Sequence, residues 1–83
     1  MEGLDDPLLV EERALGRLTT REREVLAWVA RGKRNAEVAE LLNLSPGTVR
    51  RHLQNVYAKL GVNTRTAAVV HFLGLLDAEA EHT

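Results

Sequence analysis

Arg50, Arg51 and Gln54 are the side chains in this sequence best equipped to recognise a ligand by its chemistry. Each arginine carries a planar fork of donors, and the glutamine amide pairs a donor with an acceptor. Forks of this kind meet the two acceptors on a guanine edge, and an amide matches adenine or a phosphate oxygen. Glu22 and Glu24 form the other pair to weigh, because neighbouring carboxylates can act as acid and base. No nucleophile, metal cluster or glycine-rich phosphate loop accompanies them, so capping and surface roles fit them better. His52, His71 and His82 are too scattered for a metal site, and there is no cysteine to supply a thiolate or a disulfide. The chain reads as a non-enzyme with no metal and no cofactor.

The stretch that must position these groups is Ser45-Pro46-Gly47-Thr48-Val49-Arg50-Arg51-His52-Leu53-Gln54. Ser45 is a suitable N-cap, and Pro46 falls at the first helical position, where a missing N–H costs nothing. Val49, Leu53, Val56 and Leu60 then fall on one helical face. The opposite face carries Gly47, Arg51, Gln54 and Ala58, with Arg50 on its shoulder. It is too polar for a core and flat at its start. A flat, basic, amide-bearing opening is what entry into a major groove requires. His52 sits at the boundary of the two faces.

Composition sets the remaining bounds. Eighty-three residues make one small domain. No apolar run approaches the ~20 residues of a membrane span, and acids replace the positive start of a signal peptide. A soluble cytoplasmic domain is expected. The net charge of −1 conceals an uneven distribution. Residues 19–66 hold nine Lys and Arg against four Glu, while residues 1–18 and 67–83 each carry a net −3. A basic centre between acidic ends suits a phosphate-binding face.

Taken in order, residues 1–17 read as a tail or linker, with a short helix over Leu8 to Leu15 and a few leucines docked on the body as alternatives. Thr19 and Glu22 have capping-box spacing and open a helix over about 20–31. Val25, Leu26 and Val29 form its apolar stripe, Trp28 packs beside them, and Gly32 is its left-handed stop. A second helix spans about 35–42, capped by Asn35, with Val38, Leu41 and Leu42 inward and Ala39 allowing close approach. Asn43 ends it in the left-handed conformation. The very short connection to Ser45 makes a helix-turn-helix over about 35–54. Gly61 stops the third helix, and Thr64 caps a fourth over about 65–76. Its inward stripe is expected at Val69, Phe72, Leu73 and Leu76, with a second, weakly polar face of Ala67, Val70, His71 and Gly74. Residues 77–83 read as a fraying acidic tail.

These features assemble into a pattern. Leu18-Thr19-Thr20-Arg21-Glu22-Arg23-Glu24-Val25-Leu26, Gly32, Glu37-Val38-Ala39, Leu42, Leu44-Ser45, Thr48-Val49, Lys59-Leu60-Gly61-Val62 and Arg65-Thr66 resemble the LuxR-type (GerE-like) helix-turn-helix domain. The likeness covers about residues 18–75 and rests on several signatures in the right order. It implies an all-α, four-helix domain over 18–76 without winged elements, with helix 46–60 in the major groove. It implies a DNA-binding transcription regulator that pairs through its fourth helix, with RNA polymerase as a further partner. Carried over position by position, base contacts fall on Arg50, Arg51 and Gln54. Phosphate contacts fall on Thr48, Asn55, Lys59, Arg65, Lys33 and Arg34. The homodimer face falls on Ala67, Val70, His71 and Gly74.

The chain departs from the pattern twice. Arg34 stands where the family usually has a capping Ser or Thr, and Ala67 stands where it often has a polar residue. The second departure makes the fourth helix more apolar outside, which favours pairing. Two other readings share parts of the pattern: a promoter-binding module like region four of a sigma factor, and a protein-interaction module that keeps the fold without DNA. The segment Lys59 to Thr66 favours the LuxR type over the first, and the Arg50–Arg51–Gln54 face weighs against the second. Family members usually carry a receiver or ligand-binding domain upstream. Seventeen leading residues are too few for one, so the chain reads as the effector domain of a response regulator or a free-standing regulator.

Overall fold

The computed structural model describes residues 16–82, with side chains through residue 74. The expectations for residues 1–15, among them the Leu8 to Leu15 helix, lie outside the described residues. Four helices follow one another without a strand among the described residues: α1 Thr20–Ala30, α2 Asn35–Leu42, α3 Pro46–Leu60 and α4 Arg65–His82.

Local chemistry sets each boundary. At the start of α1, Thr19 Oγ1 accepts from the Glu22 amide at 3.1 Å and Glu22 Oε1 accepts from the Thr19 amide at 2.9 Å. This is the reciprocal box that its spacing predicts. Ser45 Oγ accepts from the Thr48 amide at 3.1 Å and opens α3, with Pro46 behind it. Asn43 (φ 57°) and Gly61 (φ 69°) end α2 and α3 in the left-handed region, where asparagine and glycine carry the least strain. Thr64 Oγ1 accepts from the Ala67 amide at 3.0 Å and caps α4.

The cap of α2 corrects the expectation. The capping residue is Arg34, and Asn35 is the first helical residue. An arginine side chain has no acceptor, so it cannot serve an orphan amide. Half a box remains: Glu37 Oε1 accepts from the Arg34 amide at 2.9 Å.

The core is two adjoining apolar clusters around α1 and α3. Leu18, Leu26, Val56, Leu60, Ala68 and Phe72 form one; Val25, Val29, Val38, Ala39, Val49 and Leu53 form the other. Tyr57 packs against both. Helices α1 and α3 each pack on all the others, whereas α2 and α4 share no extended seam. The four aliphatic residues of α3 are therefore what hold its opposite face outward. Truncating the fully buried Leu26 to alanine costs about 2–5 kcal/mol by the usual transfer and cavity terms.

Two apolar stripes differ from expectation. On α2, Leu41 is half exposed and Ala39 is buried in its place. On α4 the inward residues are Ala68 and Phe72, Val69 is half-buried, and Leu73 is 45% exposed. Leu76 lies beyond the described side chains. Helix α4 also runs six residues past the expected end at 76, through the acidic residues read as a tail.

Candidate nucleic-acid interface

Buried Val49, Leu53 and Val56 press α3 onto the core, and their spacing turns Arg50, Arg51, Gln54 and Asn55 to solvent. All four are exposed. Among the described residues, neither Arg50 nor Arg51 has an ion-pair partner, so both forks remain open. Thr48 is half-buried, and its hydroxyl lies 2.9 Å from Ser45 Oγ within the cap. At Gly47, an added Cβ would meet nothing nearer than Ser45 Oγ at 3.9 Å. No neighbouring side chain crowds this position, so the flat start of α3 is a feature of its outer surface.

Two of the six residues expected at phosphates have another occupation. Lys59 Nζ donates to Glu22 Oε1 at 2.7 Å. The Glu22 side chain is only 4% exposed and that of Lys59 34%. Burial pushes the Glu22 carboxyl up, but the Lys59 ammonium, the Thr19 amide and nearby His52 outweigh it. The carboxyl is held below its ordinary 4.5. Arg65 Nη1 donates to Asn35 Oδ1 at 2.7 Å and Nη2 donates to the Lys33 carbonyl at 2.8 Å. Sequence spacing carries no sign of either link, because the partners lie thirty or more positions apart. Lys33 is half-buried and Arg34 exposed, both on the turn between α1 and α2.

The boundary residues behave as their position implies. His52 is half-buried, and its Nδ1 has no partner among the described residues. Trp28 packs beside the second cluster, with the Arg31 guanidinium 5.2 Å from its ring centre. On α4, Val70 is 64% exposed and Gly74 is open, Ala67 is half-buried, and His71 has its Nε2 shut off from solvent. No group of three side chains fit to hold a metal occurs among the described residues. No described helix is long and apolar enough to cross a membrane.

Known proteins have similar sequences. The transcriptional activator protein AnoR of Acinetobacter nosocomialis is 44% identical over 61 residues, 71% of this chain and 26% of its own length. The probable transcriptional regulatory protein SgaR of Hyphomicrobium methylovorum is 46% identical over 61 residues, 74% of this chain and 29% of its own. The nitrate/nitrite response regulator protein NarP of Escherichia coli is 43% identical over 63 residues, 76% of this chain and 29% of its own. The chain thus spans less than a third of each of these relatives. The model of bacterial regulatory proteins of the luxR family matches residues 16–72, and the chain belongs to that family.

Proposed function

We propose that this chain is the DNA-binding part of a transcription regulator and that it reads sequence with α3 laid in the major groove. One observation carries the reading: Arg50, Arg51 and Gln54 are exposed together on α3 while Val49, Leu53 and Val56 bury its other side. The arginines suit guanine edges, and Gln54 suits adenine or a phosphate. Thr48, Asn55, Lys33 and Arg34 take phosphates, which set register without reading sequence. Lys59 and Arg65 act through their protein partners. Likeness to the transcriptional activator AnoR, the probable transcriptional regulatory protein SgaR and the response regulator NarP supports the same role. No catalytic step is assigned, and a DNA target fits a cytoplasmic location.

Selection from random duplexes, followed by titration of the enriched and a scrambled duplex at two salt concentrations, tests this. Enrichment of a common half-site is expected, with affinity falling steeply as salt rises, by about 0.9 log units per log unit of salt for each phosphate met. No enrichment, or binding indifferent to salt, contradicts it.

The same chain pairs with a second copy through α4, where exposed Val70 and Leu73 lie beside Ala67 and Gly74. Val70→Glu lowers the mass seen in sedimentation of the DNA complex; an unchanged mass removes this face.

A further inference from the structure

Arg65 is placed against its own helix. It opens α4, where the dipole is positive, and no acid in that first turn offsets it. Its guanidinium instead spans to the start of α2, gripping Asn35 Oδ1 and the Lys33 carbonyl. Both acceptors are neutral, so its charge is not cancelled. Because α2 and α4 share no extended seam, this fork is the side-chain hydrogen-bond link between them among the described residues, beside the apolar contact of Val69 with the cluster of Val38 and Ala39.

The grip completes the fixing of a turn. The amides of Arg31 and Lys33 donate to the Trp28 carbonyl, and that of Gly32 to the Val29 carbonyl. The Arg34 amide donates to Glu37, and Arg65 takes the Lys33 carbonyl. Beside the turn lies an open recess of about 340 Å³, bounded by Val29, Gly32, Lys33, Arg34, Asn35 and Arg65. Three cations line it and no acid does.

We infer that Arg65 is a positioning residue. It fixes the direction in which Lys33 and Arg34 leave the backbone, so that those two meet the phosphates of the strand beside α3, while its own guanidinium touches protein only. This rests on the DNA-binding reading above. A lysine keeps the charge but is a point donor on a flexible stem, and it cannot reproduce the planar two-acceptor grip.

A double-mutant cycle in the full chain tests it, using the enriched duplex and a scrambled one. Arg65→Lys should weaken both duplexes alike and lower the salt slope by about one to two. Adding Lys33→Ala and Arg34→Ala to Arg65→Lys should change little further, because their contacts are already lost. Independent, additive losses would overturn the inference, since they mean that Arg65 meets DNA by itself. A lowered melting temperature with an intact salt slope overturns it too. If Arg65→Lys fails to fold, Asn35→Ala removes one arm of the grip, and the same non-additivity is expected. A wild-type chain that binds no duplex sinks the DNA-binding reading, whereas a binding wild type with an additive cycle sinks only this inference.

Discussion

The outer face of α3 and the two internal links Lys59–Glu22 and Arg65–Asn35, together called the rim, use the same kinds of residue to opposite ends. Arg50 and Arg51 stand open to solvent, held by nothing but the helix beneath them. Lys59 and Arg65 are pinned to protein acceptors at 2.7 and 2.8 Å. A cation with an internal partner orders the scaffold; a cation without one is available to a ligand. Counting basic residues treats the two alike, and the nine in residues 19–66 do not all contribute in the same way.

Breaking this contrast should give effects of graded size. Lys59→Ala leaves a buried carboxylate without its ammonium, and chemical denaturation should show a loss of about 1.5–3 kcal/mol, the range for a hydrogen bond to a charged group. Arg51→Ala, in the same assay, should stay within about 0.5 kcal/mol, as exposed substitutions do. Equal losses would erase the distinction between rim and face.

Acid sharpens the rim alone. The folded Glu22 carboxyl titrates below its ordinary 4.5, so its stabilisation is present above that value and fades as the pH falls through the folded value. Melting temperatures of the wild type should drop over this acid window, and Glu22→Gln should drop less. Parallel curves would mean that the carboxylate is not held as described. The smallest effect belongs to Arg21 and Glu24, 3.8 Å apart with side chains nearly half exposed. Removing either should shift stability by less than about 1 kcal/mol, and added salt should erase the shift.

The two regions also differ in how far the sequence discloses them. The α3 face was legible because Val49, Leu53, Val56 and Leu60 are its only large aliphatic residues and repeat at helical spacing. Its caps, Ser45 and Gly61, act on backbone within four residues. The rim was not legible: Glu22 and Lys59 are 37 positions apart, and only the packing of α1 on α3 joins them. The inward side of helix α4 is blurred for a different reason. Small and apolar residues lie all around it, so periodicity finds Phe72 and Val69 but does not single out Ala68 over Leu73. Asn35 passed for a cap because its side chain suits one, while Arg34 takes that place and Asn35 accepts from Arg65. Leu41 reads as core by spacing, yet it is half exposed, while Val38 and Ala39 are buried and Leu42 packs beside the second cluster.

The claim beneath this account is that the outward face of α3 reads base edges. Arg50→Ala, titrated against the enriched half-site and against a copy with one guanine replaced, tests it most directly. The account predicts that the variant loses about 1–3 kcal/mol of discrimination at one base position and binds scrambled duplex nearly as the wild type does. Equal weakening on all three duplexes, with discrimination intact, would contradict it.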